Sequence, residues 1–282
     1  NPLIFEQSIS TILIKEWEGS DKVKVLRQHL NNTREINLIL IHLLIVVFSV
    51  DPVNVSKRLL HTSKNFSLST LSIHPDEVNV VDRDERKPRT KDILYLISTV
   101  DNYNVHTNIT LDVETNLKVL CEVLDHCRDQ DITFNFISSW FVYGEQPLPM
   151  SEDAHCKPTG FYSITKKAAE DLLISFCRTY GVNYRIMRFG NVMGVGDAKT
   201  SSKKNALANM INAMKRDEDV YVYDDGTPTR DVIHVNDVCA AVKLVMEKGS
   251  LNEIYNIGSG HPTPIGDIIL KAKEYLNSNS EI

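Results

Sequence analysis

Tyr162 and Lys166 stand four residues apart in the run Tyr162-Ser-Ile-Thr-Lys166. On a helix that spacing puts a phenol and an ammonium on one face, one turn apart. The pair joins a group that gives or takes a proton to a cation that changes how readily it does so. By itself the spacing is weak evidence, because a solvated lysine beside a half-buried tyrosine looks the same. The neighbouring segments add weight. An apolar stretch ends in Ile137-Ser138-Ser139 and runs on into Trp140-Phe-Val-Tyr-Gly144, so hydroxyls fall where a strand finishes. In open α/β sheets the carboxyl ends of the strands border the crevice where ligands bind.

Strand and helix signals alternate from about residue 92 onward. Residues 92–97 and 132–137 are short apolar runs, as expected of strands covered on both faces, and residues 184–188 form a third. Between them, residues 111–127 space Leu117, Leu120, Val123 and Leu124 at helical intervals. Residues 166–180 place Ala169, Leu172, Leu173, Phe176 and Cys177 on one stripe. This alternation implies βαβ units. The expected fold class is therefore α/β, a doubly wound parallel sheet of the Rossmann type with a smaller C-terminal α/β region.

That smaller region begins after a Lys/Ser-rich loop at Lys199–Lys204. It is expected to hold a helix over 206–215, a strand over Val220–Tyr223, a turn at Asp224-Asp-Gly226, and a strand entering a helix near Asp231–Asp237. The expected division is 1–193 and 194–282, with segments of the second part returning to the sheet. The first 90 residues offer two first-strand candidates. Thr11–Ile14 turns through Glu16-Trp-Glu-Gly19, and Leu43–Phe48 turns through Ser49-Val-Asp-Pro52. The first is favoured because it leaves room for another βα unit before Asp92.

Composition sets outer bounds. The 282 residues, 42% hydrophobic and 24% charged, suffice for one large domain or two modest ones and argue against a mostly disordered chain. A net charge of -6 recommends neither nucleic acid nor an anionic membrane as the main partner. The longest apolar run, Ile36–Val50, includes Asn37, His42 and Ser49 and is shorter than the roughly 20 residues a bilayer span needs. It reads as buried strand. The 5 cysteines are scattered and never paired as Cys-x-x-Cys, so they read as reduced thiols in the cytoplasm, with no zinc or other metal site.

Further blocks follow the tyrosine: Met187-Arg-Phe-Gly-Asn191-Val-Met-Gly194, Gly226-Thr-Pro-Thr-Arg230-Asp-Val-Ile-His-Val-Asn-Asp237 and Tyr255-Asn-Ile-Gly-Ser-Gly260. With Ser138-Ser139 and Pro158-Thr-Gly-Phe-Tyr162-x-x-x-Lys166, they occur in an order and spacing that resemble the extended short-chain dehydrogenase/reductase family, especially its nucleotide-sugar epimerases. The resemblance covers about residues 92–270. It implies a dinucleotide-binding domain followed by a mainly substrate-binding region. Ser139 matches the family's catalytic hydroxyl, Tyr162 its general base and Lys166 its lysine. The implied cofactor is NAD, with NADP the alternative, held by Asp82, Tyr162, Lys166, Phe189 and Gly190. Asn191 and Arg230 match positions that hold a substrate diphosphate, Tyr223 falls where the nucleotide base packs, and Asn116 matches a structural helix asparagine. The implied partners are a nucleoside-diphosphate sugar and a second copy of the chain, paired through helices around 108–128 and 161–180.

Physical chemistry supports these roles. A free tyrosine titrates near pH 10, so a base working near neutrality needs to come down by about three pH units, or roughly 4 kcal/mol. One positive charge about 4 Å away in a partly screened site supplies about that much. Arg230 offers a planar fork suited to a diphosphate; its alternative is a surface ion pair with Asp231 or Asp237. His234 reads as a packed structural histidine. Trp140 and Phe141 stand where relatives that eliminate water carry an acidic pair, and neither can shuttle a proton.

The resemblance fails at the beginning. Of 12 glycines, only Gly19 precedes Gly144, so no glycine-rich phosphate turn marks either first-strand candidate. Leu96-Ile-Ser98 also departs from the family's small residues. Three explanations stay open: a divergent cofactor domain, a non-catalytic relative that binds sugar nucleotides, or an N-terminal sequence that is incomplete, since the chain begins Asn1-Pro2 without Met. The expected function is an NAD(P)-dependent epimerase acting at C4 of a nucleoside-diphosphate sugar. The alternatives are a keto-sugar nucleotide reductase and the non-catalytic binder.

Overall fold

The computed structural model describes residues 68–71, 91–99, 104–194 and 206–282. Both first-strand candidates, the Ile36–Val50 run, Asp82 and the Lys199–Lys204 loop lie outside the described residues. Among the described residues the strands are β1 Leu68–Leu71, β2 Asp92–Tyr95, β3 Thr133–Ser139, β4 Asn183–Phe189, β5 Asn191–Met193, β6 Thr229–His234, β7 Glu253–Ile257 and β8 Pro262–Pro264. The helices are α1 Leu111–Val113, α2 Val119–Asp125, α3 Phe161–Tyr180, α4 Ala206–Met214, α5 Val235–Lys248 and α6 Ile265–Leu276. They fall into two units, one within Val50–Phe189 and Ala241–Ile257, the other within Gly190–Ala240 and Gly258–Ile282.

The first unit is built on a sheet of order β1-β2-β3-β4-β7 in which every pair is parallel. Alternate strand residues explain its burial. Ile93, Tyr95, Phe134, Phe136 and Ile186 enter one core with Val119, Leu120 and Val123 of α2 and Ala169, Leu173 and Cys177 of α3. Leu94 and Asn135, whose side chains alternate to the other face, are buried as well. This is the α/β, doubly wound class read from the sequence. Ala169, Leu173 and Cys177 are buried in this core and Phe176 packs against it, as expected of the α3 stripe, whereas Leu172 is 41% exposed.

The helix expected over 111–127 is not continuous. Between α1 and α2 the chain widens into a π turn, Glu114–Lys118, which buries Thr115 and Asn116. Asn116 uses both ends of its amide there, a local demand that regular α spacing would not meet. It accepts from the Thr99 backbone N–H at 2.8 Å and donates to Thr165 Oγ1 at 2.9 Å. The matched asparagine is structural, as the resemblance implied.

In the second unit β5 and β6 are parallel and β8 joins β6 antiparallel. Ile211 and Met214 of α4 pack with Val220 and with Ile269 and Ala272 of α6. The strand expected at Val220–Tyr223 does not form. Val220 N–H donates to the carbonyl of Glu281 at 2.8 Å, and Tyr223–Gly226 is a 3₁₀ turn with Asp224 (φ 52) and Asp225 (φ 49) left-handed. An alternating run becomes a strand only where a neighbour offers it a ladder. Among the described residues no helix is long and apolar enough to cross a membrane, and all the cysteines are free.

Candidate active site

Ser139 is the last residue of β3 and stands level with Phe189 at the end of β4. The chain leaves it extended (φ -139, ψ 148) and turns at once into the 3₁₀ segment Trp140–Tyr143. Ser139 Oγ accepts from the Phe141 backbone N–H at 3.3 Å, which orients the hydroxyl at the sheet edge. Gly144 closes this turn at φ 65, and a Cβ there would lie 1.9 Å from the Lys157 carbonyl oxygen, so only glycine fits. Trp140 and Phe141 stack at 4.5 Å between ring centroids, and Phe141 meets the Tyr162 ring edge-on at 6.1 Å. Of the two aromatics, Phe141 borders the phenol and Trp140 stacks behind it.

Tyr162 lies in the first turn of α3 and Lys166 one turn further on. Lys166 is only 2% exposed. Its Nζ donates to the carbonyl of Ile137 at 2.6 Å and sits 4.4 Å from the centroid of the Phe136 ring. Burial lowers its pKa to about 7, with the Glu170 carboxylate pulling the other way. The phenol moves oppositely: burial raises Tyr162 to about 12. The nearby hydroxyl of Ser139 works downward, the Asp112 charge adds to the rise, and the hydroxyl of Ser98 works downward again.

These directions correct one step of the sequence argument. A cation close by was expected to bring the phenol toward neutrality. In this structure the ammonium is anchored on Ile137 and Phe136, and withdrawal from water disfavours the charged form of both groups.

Ser139, Tyr162, Lys166 and Phe189 thus come together in the first unit, at the carboxyl ends of β3 and β4. Phe189 is 3% exposed and Gly190 follows it as the chain leaves the strand. Asn191, Tyr223 and Arg230 belong to the second unit. Asn191 pairs in register with Val232, two residues from Arg230, so Asn191 and Arg230 share a face of the small sheet. Asn191 Nδ2 donates to the Asp231 carbonyl at 3.2 Å. Tyr223 is 86% exposed.

Arg230 is exposed, and its guanidinium donates to the Thr229 carbonyl at 2.8 Å. Among the described residues no ion pair joins Arg230 to Asp231. Asp231 is engaged elsewhere: it accepts from Ser259 N–H (2.7 Å), Ser259 Oγ (2.6 Å) and Gly260 N–H (2.9 Å). A Cβ on Gly258 would come within 2.6 Å of the same carboxylate. The Gly258–Gly260 end of the motif Tyr255–Gly260 thus holds the Asp231 carboxylate. His234 is buried, accepts at Nδ1 from Asn236 N–H (3.3 Å) and is lowered to about 4 by burial, which suits a packed neutral histidine.

Two groups at the phenol were missed from sequence. Ser98 showed only as a departure from small residues, and Asp112 carried no signal beyond lying one turn before Asn116. Asp82 lies outside the described residues.

A parallel sheet with a hydroxyl, a phenol and a lysine at its carboxyl edge defines the dehydrogenase/reductase class of α/β enzymes. The chain belongs to the NAD-dependent epimerase/dehydratase family, whose model matches residues 54–258. It is 29% identical over 210 residues to a putative UDP-glucose 4-epimerase of Methanocaldococcus jannaschii, covering 72% of this chain and 68% of that protein. It is 35% identical over 150 residues to the low-salt glycan biosynthesis protein Agl12 of Haloferax volcanii, covering 52% of this chain and about half (47%) of that one. The crystal structure of UDP-glucose 4-epimerase with UDP-glucose from Thermotoga maritima superimposes with a TM-score of 0.64 at 26% identity, over 71% of this chain and 67% of that one.

The described residues fit the nicotinamide end of NAD. An ammonium has three N–H donors, and the hydrogen bond to Ile137 uses one. The remaining donors of Lys166, one helical turn from Tyr162, suit the hydroxyls of a ribose.

Proposed function

We propose that this chain is an NAD-dependent epimerase of a nucleoside-diphosphate sugar, acting at a C4-type carbon. The observation that carries the reading is the meeting of the Ser139 and Tyr162 hydroxyls, with Lys166 one helical turn away, where β3 ends. The UDP-glucose named for the Methanocaldococcus relative and the Thermotoga structure supports the substrate class.

Tyr162 Oη accepts the proton of the sugar hydroxyl and later returns one to the same oxygen. Ser139 hydrogen-bonds that oxygen and aligns it for transfer. The hydroxyls of Ser139 and Ser98 favour the phenolate, and the Phe141 ring lies edge-on to the phenol without offering a proton. NAD, when bound, supplies the hydride acceptor; Tyr162, Lys166, Phe189 and Gly190 would hold it, with Asp82 toward the adenine. Asn191 and Arg230 take the diphosphate of the substrate, and the exposed ring of Tyr223 packs on its base.

The test is conversion of UDP-glucose to UDP-galactose by the purified protein with NAD and no net cofactor consumption. Tyr162→Phe is expected to lower turnover about 10²–10⁴-fold while UDP-sugar binding persists. Unchanged turnover removes Tyr162 from its role. Stoichiometric use of NADPH on a keto sugar gives the reductase instead. Sugar-nucleotide binding with no turnover and no thermal stabilisation by either cofactor gives the non-catalytic binder.

The proposed protein partner is a second copy, paired across α1–α2 and α3. Val113 (45% exposed), Ile164 (50%) and Leu172 (41%) place apolar side chains on the surface of these helices. Sedimentation of the intact chain as a monomer would end that reading. The free cysteines support a reducing cytoplasmic location.

A further inference from the structure

Arg188 is a buried guanidinium on β4, 3% exposed, that the chemistry above leaves unused. Its Nε and Nη2 donate to the two oxygens of Glu170 at 3.0 and 2.8 Å, and Nη1 donates to the Glu152 carbonyl at 3.1 Å. Its Cζ lies over the Tyr143 ring, 4.7 Å from the centroid. Each partner leads to the site. Glu170 lies on α3, about two turns beyond Tyr162. Tyr143 ends the 3₁₀ segment whose Phe141 N–H holds the Ser139 hydroxyl. Glu152 lies in residues 145–160, the stretch that leads from that turn into α3. Asn256 of β7 ties the same stretch again. Its Oδ1 accepts from Tyr143 Oη at 2.7 Å, its Nδ2 donates to the Met150 carbonyl at 3.0 Å, and its N–H donates to Glu152 Oε1 at 2.9 Å. Lys157 N–H returns to the Tyr143 carbonyl at 3.0 Å.

We infer that Arg188 is a positioning residue for the Ser139–Tyr162 pair: through Glu170, Tyr143 and Glu152 it fixes the helix that carries the phenol against the turn that orients the serine hydroxyl. The inference deepens the epimerase reading and rests on it for its catalytic meaning. Stability alone does not call for this guanidinium, because apolar residues of similar volume commonly match a buried ion pair. What a planar fork adds is a simultaneous hold on α3, on the turn and on the stretch between them, which a point-charge ammonium cannot give. Proton transfer needs both hydroxyls on one sugar oxygen, and a misplacement of about 1 Å costs on the order of 10²-fold in rate. The residues assigned to the diphosphate, Asn191 and Arg230, lie in the other unit. Arg188 therefore acts on turnover and leaves sugar-nucleotide binding in place.

The experiment uses the full chain and two readouts. Arg188→Met combined with Glu170→Leu removes both buried charges and keeps the space filled. Backbone hydrogen exchange over residues 140–160, read by mass spectrometry, is expected to quicken about tenfold or more, with β2 and β3 exchanging as in the parent. With UDP-glucose and NAD, kcat is expected to fall about 10–10²-fold while KM stays within about threefold. Arg188→Lys keeps a cation opposite Glu170 without the fork and is expected to show the same pattern. Asn256→Ala leaves the ion pair intact, loosens the same stretch, and decides the question if the double variant does not fold. Unchanged exchange over 140–160 in a folded variant overturns the inference. So does a kcat equal to the parent's, or a loss carried by KM alone. A parent chain that fails to epimerise UDP-glucose overturns the functional reading instead, and the exchange readout still decides whether Arg188 holds the turn and α3 together.

Discussion

Replacing Lys166 by methionine removes a buried ammonium while keeping an unbranched side chain of similar length. The structure says what this does to stability and how the effect depends on pH. Burial takes Lys166 from 10.5 to about 7. At about 1.4 kcal/mol per pH unit, the cost of keeping it charged in the fold is at most on the order of 5 kcal/mol. Methionine gives up the 2.6 Å hydrogen bond to Ile137 and leaves that carbonyl without its lysine donor, a loss of about 1–3 kcal/mol. The net expectation is a variant more stable than the parent by about 2 kcal/mol at pH 6.5.

The sign with pH follows from proton counts. Between about 7 and 10.5 the unfolded chain holds a proton on Lys166 that the folded chain does not, so the parent gains stability as pH rises through that window. The variant lacks this gain. Its advantage is therefore largest at or below pH 7 and shrinks toward pH 10. Urea midpoints at pH 6.5 and 9.5 measure the difference, with turnover expected to be lost throughout. An advantage equal at both pH values, or a variant less stable at pH 6.5, refutes the argument from burial.

Other consequences can be measured on the same footing. His234 lies at about 4 in the fold against 6.5 in the unfolded chain, so stability is lost as pH falls through that interval, by up to about 3 kcal/mol. His234→Phe should flatten this acid slope in urea titrations between pH 7 and pH 4. Arg188 and Glu170 form a buried pair through two hydrogen bonds of 3.0 and 2.8 Å. Arg188→Met alone should cost about 3–5 kcal/mol, and combination with Glu170→Leu should recover part of that loss. Arg230→Ala should weaken UDP binding by about tenfold or more in calorimetry, with the melting temperature little changed. Equal affinity would remove Arg230 from the diphosphate.

Local patterns made much of this molecule legible from its residues. Strand burial at 92–95, 133–139 and 183–189 and the α3 helix follow from apolar periods within each segment, with ends displaced by one to a few residues. Tyr162 and Lys166 share a helix because four residues make about one turn. The Val220–Tyr223 run failed because alternation describes a strand's faces and says nothing about whether a neighbour exists to pair with it. The 111–127 helix was drawn straight because apolar spacing cannot register one asparagine serving partners 17 and 49 residues away.

The order of the segments, the hydroxyl at a strand's end and the phenol–ammonium spacing were thus already written in the chain, since each depends on residues close together along it. The protonation behaviour of those groups was not. Lys166 near 7, Tyr162 near 12, the hydrogen bond of Thr99 to Asp112 and the hold of Ser259 and Gly260 on Asp231 all arise from contacts between residues far apart in the chain. How tightly a charge is enclosed, and what it meets there, exists only once those distant segments have packed.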